Sequence, residues 1–282
     1  MVPPETAGLA VPPQPRASFQ FSACMNLRRT AITAALAVLM LYGGLILSLG
    51  WFFDGPTLRG ALLSERTLFS IRLSLLTATL AAGLAVALAV PAAYALSRFR
   101  FPGRELVDTL LEFPIVVSPA ALGAMLLIFF NNPLGGWIQE NALRFVFSFA
   151  GIVLAQFVTI LGIAVRLLKT SFDEVPAELE TVARTLGATP RHAFFTVTLP
   201  LARRGLIAAF ILAWAKALGE FGATIMVAGT MAMRTETLPV AIYLRLASAD
   251  IEGTVALILV LVSIGLAALC ITRRLLGRVA NV

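Results

Sequence analysis

Six stretches of this chain are long and apolar enough to cross a lipid bilayer, and their placement limits every other reading. A hydrocarbon core of ~30 Å needs about 20 residues of helix. Runs at about 30–50, 68–96, 106–130, 147–168, 205–230 and 251–271 meet that length. Inside lipid the backbone must satisfy its own hydrogen bonds, and runs rich in Leu, Ala and Gly do so as packed helices rather than barrel strands. The expected fold is therefore an all-α polytopic membrane protein with six transmembrane helices. A chain that is 59% hydrophobic and 13% charged, with a mean hydropathy of +0.91, is not a water-soluble globule. Arg28 and Arg29 precede the first run, and no small-residue cleavage site is clear after it. It reads as an uncleaved first helix rather than a signal peptide.

Residues 1–25 are different in kind. They are Pro-rich, lack apolar periodicity and are expected to be a disordered tail, leaving 26–282 as the transmembrane domain. Met25, followed by Asn26, Leu27, Arg28 and Arg29, has the character of a natural start, so the tail is either a genuine extension or a mis-assigned start. Cys24 and Cys270 belong to no metal or redox spacing and read as inert.

Lys and Arg outside the runs divide unequally. Arg16, Arg28, Arg29, Arg98, Arg100, Arg104, Lys169, Arg184, Arg191, Arg203, Arg204, Arg273, Arg274 and Arg278 fall on one side, which is 14; Arg59, Arg66, Arg144, Arg234 and Arg245 fall on the other, which is 5. Basic residues concentrate in cytoplasmic loops, so both termini are expected in the cytoplasm. The net charge of +7 then marks a membrane side and does not call for nucleic acid. A reporter fused after Arg278 is expected to be cytoplasmic, and one at Asn132, between the third and fourth runs, periplasmic. Two reporters on the same side would remove a span.

One cytoplasmic connection is too long and too charged to be a simple loop. Residues 171–204, SFDEVPAELETVARTLGATPRHAFFTVTLPLARR, form a polar island between apolar runs. Pro176 suits a first helical position, with Glu174, Glu178 and Glu180 near the positive helix end. Leu179, Val182, Ala183 and Leu186 recur at helical spacing as one apolar stripe, and Gly187 is placed to end that helix. Thr189 and Pro190 then start a second helix as cap and first residue, running to Leu199–Pro200, where the proline is expected to break or redirect it. The stripe must pack against something: either the protein's own membrane helices or a soluble partner.

The island's spacing resembles the loop by which permeases of bacterial ABC importers grip their ATPase, with the signature Glu-Ala-Ala, three residues, Gly, nine residues, Ile, one residue, Leu-Pro. Ala183 fills the third position, Gly187 the glycine, Val197 the aliphatic position and Leu199–Pro200 the final pair. The first two positions depart, being Thr181 and Val182, and Glu180 lies one residue early. FPIVVSPAALGAMLL in the third run and AWAKALGEFGATIMVAGT with RTETLPVAIY in the fifth resemble the molybdate branch of that family, whose relatives carry tungstate or sulfate. The likeness covers about residues 60–275, and Gly219 to Thr224 is its most specific segment. It implies a homodimer with the substrate path on its two-fold axis, two separate ATPase subunits docked on the cytoplasmic loops, and a periplasmic protein that delivers the oxyanion. The coupling residues it implies are Glu180, Thr181, Val182, Ala183, Leu186, Gly187, Val197, Leu199 and Pro200.

Charges inside the apolar runs ask for a function. Arg72, Arg166, Asp108 and Glu112 are shallow and read as interfacial anchors. Lys216 lies ~18 Å beyond Arg204 at ~1.5 Å per residue, near mid-membrane, with Glu220 one turn on. The pair either neutralises itself within the bundle or lines the path, where a lysine tempered by a carboxylate suits a passing dianion. Lys216, Gly219, Glu220, Gly222, Thr224 and Pro119 are the path candidates, with Gly123 beside Pro119 as packing. No metal site, cofactor site or catalytic set stands out: His192 is the one histidine, and neither Lys169 nor Lys216 follows a glycine as a phosphate-binding loop requires. ATP would have to be hydrolysed by a partner. An ion-coupled secondary transporter is the other class considered, but no internal repeat is evident, and that reading leaves the island unexplained.

Overall fold

The computed structural model describes residues 17–52, 60 and 63–277, all helix, turn or coil with no strand among the described residues. It divides into two units at Phe53. The first unit holds α1 (Ala17–Ser48) and a 3₁₀ turn, Leu49–Phe52. Helix α1 begins inside the segment expected to be disordered. The prolines end at Pro15, and ASFQFSACM that follows holds no helix breaker. Residues 1–16 lie outside the described residues.

The second unit contains α2 (Glu65–Arg98), α3 (Arg104–Val116), α4 (Pro119–Phe130), α5 (Pro133–Asn141) and α6 (Phe149–Asp173). The island follows as α7 (Ala177–Thr185) and α8 (Pro190–Ala193). Then come α9 (Leu199–Leu218), α10 (Gly222–Ala228), α11 (Leu238–Ala247) and α12 (Ile251–Gly277). The core is a seam of small residues. Ala78, Ala81, Ala82, Ala85, Ala89 and Ala93 of α2 have no exposed surface, and Ala164 of α6 with Ala213 and Ala217 of α9 join the same cluster. Alanine at helical spacing lets backbones approach closely, which is how helices associate where lipid supplies no hydrophobic drive.

The third apolar run is not one helix. It is α3 and α4, bent by 111° at Val117–Ser118. Pro119 disfavours helical backbone at the residue before it, so Ser118 is extended (φ −62°, ψ 144°) and caps the restart by accepting from the Ala121 N–H at 3.2 Å. The pair nevertheless crosses as one span. Ser97 and Arg98 at the end of α2 bond Asp173 and Val175 at the end of α6, so those ends share a side. Helix α3 starts at that side and runs antiparallel to α6, with Lys169–Asp108 at 2.8 Å and Arg166–Glu112 at 3.3 Å. Residues 145–148 arrive at the other end of α6, ~38 Å away at ~1.5 Å per residue. Of the four charges expected as interfacial anchors, Asp108, Glu112 and Arg166 thus sit in two ion pairs between α3 and α6, with Lys169 as the fourth partner, while Arg72 is exposed on α2.

The fifth run also departs from a single helix. It begins earlier, because α8 continues through a π turn, Phe194–Thr198, into α9 without a break. Pro200 was expected to interrupt here. A proline ring collides with the carbonyl four residues back in an α-helix; widening the preceding turn relieves that crowding. The run then stops at Leu218 and resumes as α10, whose Val227 carbonyl accepts from the Phe147 N–H at 3.0 Å, beside the start of α6. The fifth run is thus a full-length helix, continued after a break by the short helix α10. The chain is a multi-pass membrane protein with five long apolar helices and, counting the α3–α4 pair, a sixth span.

Candidate functional site

Two regions gather the residues singled out above: the island and the place where α4, after the bend in the third run, meets α10, after the break in the fifth. In the island, Gly187 has φ +94°, a left-handed conformation that costs glycine nothing and other residues a steric penalty. The Gly187 N–H donates to Arg184 O at 3.0 Å and the Ala188 N–H to Ala183 O at 3.1 Å, closing the end of α7. Thr189 caps α8, accepting from the His192 N–H at 3.2 Å, with Pro190 as its first residue. Pro176 is the N-cap residue of α7, one position before the expected one. Leu179, Val182 and Leu186 are exposed to 43%, 55% and 83%. Their stripe therefore does not pack on the protein's own helices. Thr181 and Pro200 are exposed, while Ala183, Val197 and Leu199 are half-buried.

Glu180 faces the other way. Its carboxylate accepts from Tyr94 Oη at 2.7 Å, Arg98 Nε at 2.8 Å and Thr198 Oγ1 at 2.6 Å. Burial pushes its pKa up, but the bonds from Thr198, Tyr94 and Arg98 and the Arg98 charge outweigh that and hold it below the ordinary carboxylate value. With the folded value depressed, this anchoring is complete above the usual carboxylate range and is lost only as pH falls below it. Tyr94, Phe99, Phe172 and Phe194 pack edge to face around the cluster. Sequence reasoning missed Tyr94, Arg98 and Thr198; the first two lie more than eighty residues before Glu180, and nothing local signals the contact.

At the second region the breaks meet backbone to backbone. A Cβ on Gly222 would lie 2.9 Å from Ala120 N and 3.2 Å from Pro119 Cβ; one on Gly123 would lie 2.7 Å from Ala223 Cα. Pro119, Gly123, Gly222 and Ala223 are therefore one contact between α4 and α10. Gly219 ends α9 as its C-cap. Lys216, in the last turn of α9, has its side chain 48% exposed, whereas that of Glu220 is 1% exposed, and their charged atoms are 3.7 Å apart. Glu220 is not on Lys216's helix as expected. It lies past the end of α9, and its Oε1 accepts from the Ala223 N–H at 3.0 Å, capping α10. A cation at a helix C-terminus and an anion at a helix N-terminus are each favoured there. Glu220 thus holds the break together, and Lys216 carries the charge that reaches the surface. Thr224 is fully buried, and its hydroxyl has no hydrogen-bond partner. Among the described residues no three His, Cys, Asp or Glu side chains gather to hold a metal.

Residues 85–281 match the family described as binding-protein-dependent transport system inner membrane component. The chain is 37% identical over 246 residues to a probable molybdenum ABC transporter permease protein of Haloferax volcanii, covering 86% of this chain and 89% of that one. It is 37% identical over 177 residues to the molybdenum transport system permease protein ModB of Haemophilus influenzae, covering 62% and 77%. It is 34% identical over 176 residues to the sulfate transport system permease protein CysT of Escherichia coli, covering 62% and 64%. In fold it is similar to a chain of a bacterial alginate ABC transporter in complex with its alginate-bound periplasmic protein, with a TM-score of 0.74 at 14% identity, covering 95% and 99%.

Proposed function

The chain belongs to the family of binding-protein-dependent transport system inner membrane components, and we propose that it is the membrane-spanning subunit of an ATP-driven importer for a tetrahedral oxyanion, molybdate before sulfate or tungstate. The observation that carries the choice of molybdate is the extent of the likeness. Two relatives named for molybdenum are each 37% identical, over 86% and 62% of this chain, while the sulfate permease CysT is 34% identical over 62%. Membership of a family whose members work with a binding protein and an ATPase leaves no place for the ion-coupled alternative. The subunit itself is not an enzyme; a separate ATPase hydrolyses the ATP.

In this reading the island lies in the cytoplasm and the exposed stripe Leu179, Val182, Leu186 is the ATPase seat. One chain offers one island and a cycle uses two ATPase subunits, so the permease works as a two-fold homodimer. Helices carrying Lys216 from both copies face the axis, with Gly219, Gly222, Thr224 and Pro119 shaping the passage. A periplasmic oxyanion-binding protein delivers the substrate. The test is uptake into proteoliposomes holding the permease, the ATPase and the delivery protein. Labelled molybdate should accumulate with ATP and resist a large excess of sulfate; sulfate uptake without molybdate uptake would move the assignment to the sulfate branch. Membrane cross-linking should trap homodimers, and trapping monomers alone, or pairs with a different permease, would refute the two-fold arrangement.

A further inference from the structure

Beyond the chain's own turn at Gly187, the island's docking stripe and the membrane span that carries Lys216 are tied through one half-buried side chain. Helix α7 presents Leu179, Val182 and Leu186 outward and Glu180 inward. Glu180 is bonded on one side to Tyr94 and Arg98 of α2 and on the other to Thr198 of the π turn. Arg98 holds the Val175 carbonyl at 2.7 Å as well, so it grips α7 both ahead of its cap and within it. Thr198 is fully buried and is the last residue of the π turn, directly before α9. That turn has no proline stop, so α8, the turn and α9 form one continuous helix ending two residues past Lys216. A π turn inside an α-helix is an i→i+5 departure from the regular ladder and recurs at functional sites.

We propose that the Glu180–Thr198 bond is the load path of coupling: Glu180 is a positioning residue that ties the seated ATPase to the π turn, and so to the span carrying Lys216, without touching the ATPase itself. This rests on the reading of the island as the ATPase seat. Helix α7 also reaches this helix along the chain, through the turn at Gly187, and packs beside the π turn. Among its side-chain hydrogen bonds, Arg98 fixes α7 to α2, a helix that does not carry the path residues, those from Thr181 and Thr185 close on its own backbone, and the bond to Thr198 is the one that enters the π turn.

The test uses the reconstituted importer and reads molybdate taken up per ATP hydrolysed. Thr198→Val keeps the shape of the side chain, removes the hydroxyl and leaves the Glu180–Arg98 pair in place. We expect the ATPase to co-purify with this variant and the ratio to fall about tenfold, an increment of ~1.4 kcal/mol in coupling. Thr198→Ser, which restores a hydroxyl, should recover most of it. Glu180→Gln should lower the ratio similarly, and adding it to Thr198→Val should lower it little further. An unchanged ratio in Thr198→Val overturns the proposal, and so does loss of ATPase co-purification in that variant, which would make the bond a support of the seat only. Gly187→Asp, run alongside, separates the two levels. If it still holds the ATPase, the docking reading itself fails; if it loses the ATPase while Thr198→Val keeps its ratio, only the load path falls.

Discussion

Gly187→Asp should abolish recovery of the ATPase with the permease while leaving the permease in the membrane. A Cβ at Gly187 meets nothing within 4 Å, so the substitution does not crowd the island. It does impose a left-handed backbone on an L residue, at a cost of about 1–2 kcal/mol. The larger effect lies at the seat. A carboxylate next to Leu186 would be buried without a partner once a protein closes over the stripe, and an uncompensated buried charge costs roughly 3–5 kcal/mol, or about a hundred- to several-thousand-fold in the docking constant. Gly187→Asn separates the two contributions. Asparagine meets the same left-handed backbone as aspartate but brings no charge, so it carries the backbone cost alone and should dock far better than the aspartate variant. Normal co-purification of the aspartate variant would show that the stripe is not the seat.

Lys216→Met should cut uptake by about tenfold or more, an increment of at least ~1.4 kcal/mol, with assembly and ATPase docking retained. Lys216 reaches the protein surface, so its loss removes a charge from the proposed path without emptying the core. Glu220 behaves differently. Glu220→Ala leaves the buried Ala223 N–H without its acceptor, a penalty of about 1–3 kcal/mol, and is expected to lower the yield of assembled protein. Glu220→Gln keeps an oxygen for that bond and should assemble. The combination of Lys216→Met with Glu220→Gln then decides between the two roles. We expect it to assemble and to transport poorly; uptake equal to the parent would mean that no charge at this depth is needed, and would remove both residues from the path.

Length and apolarity were enough to find α2, α6 and α12, because a helix that must satisfy its backbone in lipid has few alternatives. The island was legible from stripe, glycine and cap: Thr189–Pro190 and Gly187 do in the structure what their chemistry suggests. The breaks were harder. Ser118–Pro119 carries a cap-and-first-turn signal inside an apolar run, so the α3–α4 bend could have been read from it. Likewise, Asn132–Pro133 marks the start of α5. The break after Leu218 has no such signal. Glycine is common in membrane helices, and Glu220 caps from an unusually long side chain. Pro200 misled in the other direction, since a π turn absorbs it. The partners of Glu180 were out of reach altogether: they depend on where α2 ends relative to α7, a property of the packed bundle.

The contact between α4 and α10 has a mechanical consequence. Where Gly123 meets Ala223 and Gly222 meets Ala120, a Cβ on either glycine would fall within 2.9 Å of main-chain atoms, which cannot move aside by changing rotamer. The two segments are therefore held at backbone contact, and a larger residue at either glycine would have to push them apart. At this joint volume outranks charge: a single added methyl group would do more harm at Gly123 than a new ion at the rim.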